Sequence, residues 1–177
     1  KYAKIPVINM ESATGHPLQA LADALTLKEH KTKYRPKVVL TWAPHPKALP
    51  HAVANSFSKM MSFQEADYFI SNPEGYDLDK RITKNIPVIH NQSEALQNAD
   101  FVYAKNWCSY ERYGQILRTD NEWMITKEKM SLTKNAKFMH CLPIRRNIVA
   151  SDGVLDNSNS LVIEQANNRT FATQAVL

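Results

Sequence analysis

The sequence predicts a doubly wound α/β fold, a mainly parallel sheet with helices on both faces. Three observations carry that prediction. Short β-rich apolar runs recur along the chain, helix-type spacings fill the intervals, and the runs are nearly continuous in apolar residues rather than alternating. An alternating strand has one wet face, whereas a continuously apolar one is covered on both, as crossover helices cover a parallel sheet.

Taken in order, residues 5–9 read as a first strand. A helix follows over 16–29, where Leu18, Leu21, Ala22 and Leu25 repeat at helical spacing. Thr14 is available as its cap, and Pro17 sits in the first turn, where a missing N–H is tolerated. Residues 38–42 make the second strand. The segment 50–61 makes a second helix, with Val53, Phe57, Met60 and Met61 on one side. Strands are expected at 68–71 and 86–90, a short helix at 92–99, and a strand at 101–104. A further short helix at 126–132, strands at 137–141 and 161–163, and a last helix from about 166 complete the pattern. The pattern opens with no preceding unit and closes on a helix of barely three turns, so the chain reads as half of something larger.

At 177 residues one core is expected, and no internal repeat is visible. No apolar run approaches the ~20 residues a membrane helix needs. The start lacks the apolar core and cleavage site of a secretory signal, so a cytoplasmic location and no membrane partner are expected. The net charge of +5 allows an anionic partner, but the lysines are scattered, clustering only at 28–37 and 127–134. No aromatic and basic residues interleave, so no nucleic-acid partner is expected. Cys108 and Cys141 show no zinc-type spacing; reduced thiols and no metal site are expected.

In a sheet of this kind ligands gather beyond the carboxyl ends of the strands. That rule groups the segments 11–19, 42–50, 105–107 and 141–145 around one crevice. His16 and Gln19, three apart at a helix start, project on one face near the positive end of the helix dipole and could polarise a carbonyl and grip an amide. An ordinary helix-start histidine fits the same spacing. Pro44, Pro46 and Pro50 stiffen the loop that carries His45, which suits either a held ligand contact or a rigid connector. Lys105 ends a strand, and Arg145 and Arg146 follow a proline; lysine point charge and arginine fork together make a carboxylate clamp, with a surface ion pair the alternative for at least one arginine. Cys141 follows His140, but neighbours in a strand point to opposite faces, so Cys141 reads as pocket lining rather than a nucleophile. Arg169, placed before the final helix, could meet an anion or the surface; the residues alone do not choose.

His16-Pro17-Leu18-Gln19 and His140-Cys141-Leu142-Pro143, in that order and separation, resemble the HPxQ and HCLP signatures of the ornithine carbamoyltransferase family. Within it the chain is similar to the N-acylornithine branch. The Asp-x-x-x-Ser-Met-Gly segment that holds a free α-amino group is replaced here by Lys105-Asn106-Trp107-Cys108-Ser109-Tyr110. A lysine there repels a free ammonium and favours an acylated, neutral α-nitrogen. Glu11 with Ser12-Ala13-Thr14 before the first signature is closest to the succinyl type, the acetyl type being next.

The resemblance covers the whole chain but only the second half of the family's subunit. It implies that residues 1–177 form the amino-acid-binding domain, that 1–30 include the inter-domain helix, and that the carbamoyl-phosphate domain with its Ser-x-Arg-Thr loop is absent. It implies carbamoyl-phosphate contacts from His16, Gln19, Cys141, Leu142 and Arg169, with His16, Cys141 and Arg169 at the reacting centre. Glu11, His45, Lys105 and Arg145 would place the acylated amino acid. The implied reaction is carbamoyl transfer from carbamoyl phosphate to the δ-amino group of N-succinyl- or N-acetylornithine in arginine biosynthesis, by a homotrimer that needs no cofactor. A catalytically silent domain of the same fold, or a carbamoyltransferase acting on free ornithine, are the alternatives.

Overall fold

The structure is a computed structural model that describes residues 2–177; Lys1, the first residue of the expected domain, lies outside them. Five strands, β1 (Lys37–Trp42), β2 (Asp67–Ser71), β3 (Val88–Ile89), β4 (Phe101–Lys105) and β5 (Lys137–Met139), form one sheet in the order β3-β2-β1-β4-β5. Every pairing is parallel. Seven helices accompany them among the described residues: α1 (Pro17–His30), α2 (Ala52–Met61), α3 (Lys80–Thr83), α4 (Gln92–Leu96), α5 (Lys127–Met130), α6 (Asp152–Leu155) and α7 (Val162–Val176).

The strand side chains explain the two-sided cover. Along β1, Val38, Leu40 and Trp42 enter one apolar cluster and Val39 the other; along β4, Phe101 and Tyr103 oppose Val102 and Ala104. The first cluster takes Leu27 from α1 and Val53, Phe57 and Met61 from α2, while the second takes Leu96 from α4 and Val154 and Leu155 from α6. The expected doubly wound arrangement is therefore present. The chain steps from β1 through β2 to β3 on one side, then returns to place β4 against the other side of β1. The switch point lies between β1 and β4, where a crevice opens beyond the carboxyl ends.

Several expected elements differ. Residues 5–9 pair with no strand: Ile5 and Val7 are each 76% exposed, and Pro6 supplies no N–H for a ladder. The run at 161–163 is the start of α7. Ser160 makes a single bridge to Phe138 and Leu161 N donates to Phe138 O at 2.8 Å, after which the chain turns helical. Leu161 enters the first cluster and Val162 the second, so apolarity here serves packing rather than pairing. Consequently Arg169 sits within α7 rather than ahead of it. The cap of α1 is His16, not Thr14, and its side chain makes no capping bond. The strand expected over 86–90 is only Val88–Ile89, since Pro87 has no N–H, although its carbonyl accepts from Ile70 N at 3.0 Å. The short helices α3 and α6 had no periodicity to announce them.

Candidate active site

The crevice is framed by loops that the core holds in place. Ala43 N donates to Lys105 O at 3.1 Å, Asn106 Nδ2 to Ala43 O at 2.8 Å, and Trp42 Nε1 to Trp107 O at 2.8 Å. These buried bonds tie the segment after β1 to the segment after β4. Lys105 is the last residue of β4, opposite Trp42 in register, and emerges half-buried at the switch point.

His16 reaches the same place from α1. The residue is 7% exposed, its backbone N–H donates to Ser56 Oγ of α2 at 2.8 Å, and its Nε2 lies 3.9 Å from Glu11 Oε2. Burial holds the imidazole below its ordinary pKa, with Arg169 and Lys105 acting the same way against the opposing pull of Glu11. A neutral ring results at neutral pH, able to donate one hydrogen bond without bringing a charge.

Beyond β5, His140 and Cys141 are buried. Burial, reinforced by Lys105, pushes His140 down to about 3, so this ring is neutral too. Burial also raises the Cys141 thiol above its ordinary value although Lys105 pulls it down. The thiol therefore stays protonated, in keeping with a pocket wall rather than a nucleophile. Leu142 packs against the second apolar cluster, and its peptide to Pro143 is cis.

A cationic corner completes the crevice. The His45 ring is fixed at Nδ1, which accepts from Lys47 N at 3.0 Å, and burial, Lys105 and Arg145 depress its pKa. His45, Lys105 and Arg145 thus lie within electrostatic reach of one another. The two arginines after the Cys-Leu-Pro run behave differently. Arg146 is bound to Asp152 at 2.7 Å and Asp156 at 2.6 Å, a surface network, whereas the Arg145 side chain makes no ion pair or hydrogen bond among the described residues. Arg169 is exposed on α7 yet acts electrostatically on His16 and Asp23.

The expected residues accordingly converge: His16, Glu11, His45, Lys105, Cys141, Arg145 and Arg169 share one field, and Gln19 joins through Asp23. Gln19 Nε2 donates to Asp23 Oδ1 at 2.7 Å, Gln165 Nε2 donates to the same oxygen at 2.6 Å, and His140 N donates to Gln165 Oε1 at 2.9 Å. Asp23, Gln165 and Ser56 escaped sequence reading. The one available signal was a carboxylate four residues after Gln19 inside an otherwise apolar helix face.

A parallel sheet whose switch point gathers imidazoles, an amide and cations forms a crevice suited to an anionic ligand. Residues 50–177 match the family model described as aspartate/ornithine carbamoyltransferase, Asp/Orn binding domain, and the chain belongs to that family. Over its whole length it is 48% identical to an N-succinylornithine carbamoyltransferase of Bacteroides thetaiotaomicron, covering 56% of that protein. The crystal structure of a mutant N-acetyl-L-ornithine transcarbamylase complexed with PALAO superposes with a TM-score of 0.92 at 37% identity, over 99% of this chain and 59% of that one. A second mutant N-acetyl-L-ornithine transcarbamylase, complexed with carbamyl phosphate and N-succinyl-L-norvaline, superposes at 0.88 with 36% identity, over 99% and 59% of the two chains. The chain spans a little over half the length of the relatives it matches.

Proposed function

We propose that this chain is the amino-acid-binding half of an N-acylornithine carbamoyltransferase, with N-succinylornithine the preferred acceptor. The intact protein would transfer the carbamoyl group of carbamoyl phosphate to the substrate's δ-amino group in arginine biosynthesis. The observation that carries this reading is the corner formed by His45, Lys105 and Arg145. It offers an unpaired arginine and a lysine where recognition of a free α-ammonium would call for a carboxylate. The likeness to the N-succinylornithine enzyme supports the acyl group.

On this reading Arg145 and Lys105 take the substrate's carboxylates with His45 beside them, and Glu11 helps to place the acylated amino acid. His16 donates to the carbamoyl oxygen, Gln19 accepts from its NH2 group, and Cys141 and Leu142 wall the reacting centre. Arg169 faces carbamoyl phosphate from α7. The neutral δ-amine attacks the carbamoyl carbon, the tetrahedral intermediate is stabilised by His16 and the arginines, and the C–O bond to phosphate breaks. Each well-placed donor to a developing oxyanion contributes about 3 to 4 kcal/mol. The departing phosphate accepts the amine proton, and no cofactor enters the scheme. A preceding domain would supply the phosphate-binding loop, and residues 1–30 would include the helix between the two domains. A cytoplasmic homotrimer is the assembly we assign to the intact protein.

The test is acylcitrulline or citrulline formation by the two-domain protein from succinyl-, acetyl- and free ornithine. Succinylornithine should be used best, with free ornithine roughly 100-fold or more behind. Preference for free ornithine would overturn the substrate assignment, and no transfer from carbamoyl phosphate to any of them would leave a silent binding domain.

A further inference from the structure

The Asp23 carboxylate is fully buried in the middle of α1 and has no cationic partner among the described residues. Its Oδ1 accepts from two glutamine amides on different helices, Gln19 on α1 and Gln165 on α7, the second lying 142 residues further along the chain than Asp23. Burying an uncompensated carboxylate is costly, and a neutral side chain could join two helices at less expense in desolvation. An ionised carboxylate does something a neutral amide cannot: it is acceptor-only, so both glutamines must turn their NH2 groups toward it. Their carbonyl oxygens are then directed elsewhere. Gln165 Oε1 accepts the backbone N–H of His140 at 2.9 Å. Gln19 Oε1 accepts from no group among the described residues.

Resting on the functional reading above, we propose that Asp23 is a positioning residue that sets the orientation of both amides. By holding Gln19 Nε2 it presents Gln19 Oε1 to the NH2 group of the carbamoyl donor. Through Gln165 it also fixes the backbone of His140, one residue from Cys141. A single carboxylate thereby registers the α1 side of the site against the β5 side. Tyr103 and Cys141 face Asp23 from the sheet and Arg169 from α7, all within electrostatic reach. Asn168, which donates to Thr26 Oγ1 at 3.0 Å, closes the same α1–α7 seam one turn on.

The experiment exchanges acceptor and donor in the two-domain protein, with carbamoyl phosphate and succinylornithine as substrates. Asp23→Asn should raise the carbamoyl-phosphate KM about 10-fold or more, and Gln19→Glu, which sets two carboxylates against each other, should do at least as much harm. The pair Asp23→Asn with Gln19→Glu rematches both contacts by rotation of the new amide, since positions 19 and 165 now share the single atom Oδ1. So turned, the new amide on α1 donates its NH2 to the new carboxylate one turn before it and accepts from Gln165 on its oxygen, and that carboxylate keeps an oxygen for the carbamoyl NH2. The pair should return the carbamoyl-phosphate KM to within about threefold of the unsubstituted protein, while the succinylornithine KM stays within about twofold throughout. Additive losses in the pair, or equal effects on both substrates, would overturn the assignment. Where Asp23→Asn alone yields no folded protein, the exchanged pair is read directly, and a rise of about tenfold in its carbamoyl-phosphate KM overturns the idea. Absence of carbamoyl transfer by the unsubstituted protein would instead sink the functional reading itself.

Discussion

Two residues show how burial and pairing divide the work of the site. Arg145 and Arg146 are neighbours of one chemical type, yet Arg146 is spent on Asp152 and Asp156 while Arg145 remains available. Replacing Arg145 by alanine should raise the acylornithine KM roughly 10- to 100-fold and leave that for carbamoyl phosphate within about threefold. Steady-state kinetics with each substrate varied decide it, and equal effects on both would refute the role. His140 carries a second prediction. Its folded pKa, about 3, lies below the ordinary 6.5, so the unfolded chain binds the proton first as acid is added. Stability is complete above pH 6.5 and falls by about 5 kcal/mol as pH drops toward 3. Asp23 has the opposite sign: burial raises it to about 6 from 3.8, so its share of stability is present below 3.8 and is lost as pH rises through 6. The two oppose each other between pH 3.8 and 6. Asp23→Asn should therefore steepen the acid loss in that window, as measured by thermal melts, and NMR should find the His140 ring neutral at about pH 4.

At the scale of elements, α2 shows how packing supports chemistry. Phe57 is fully buried, with its ring 4.7 Å from Tyr103 and 5.7 Å from Tyr68 in edge-on contacts, and the preceding residue, Ser56, holds the backbone of His16. Phe57→Ala should cost about 3 to 5 kcal/mol in urea unfolding. It should also weaken carbamoyl-phosphate binding, because the Ser56 anchor moves with the helix. Helices 16–29 and 50–61 were legible because apolar side chains recur on one face over three or four turns. Residues 5–9 and 161–163 misled for a related reason: apolar composition reports a need for burial, whereas a strand also needs a free sheet edge to pair with. The convergence of Lys105 and Cys141 was legible too, since a parallel sheet sends its strand ends to one side, whereas His16 follows no strand and reaches the crevice from the start of α1. The direction of the Gln19 amide was not, because it depends on Gln165, which only folding brings near.

For the whole molecule, the exposed apolar residues fall outside the core just described. Ile5, Val7 and Met10 near one end and Ile163, Phe171 and Leu177 on or beyond α7 all face solvent. Our proposal places a carbamoyl-phosphate domain against such surfaces. The 177-residue chain by itself should bind the dye ANS and give no measurable carbamoyl transfer, while the two-domain protein transfers and binds the dye weakly. Full turnover by the isolated chain would remove the need for the second domain. By itself, the sequence determined the fold class and the grouping of the segments after β1, β4 and β5 at the crevice, because these follow from periodicity and from the placing of strand ends. Only the tertiary structure decided which arginine is free of ion pairs, that burial holds His16 and His140 neutral, and that Asp23 accepts from two amides at once. Those properties depend on burial and on partners distant in the chain, which no local pattern encodes.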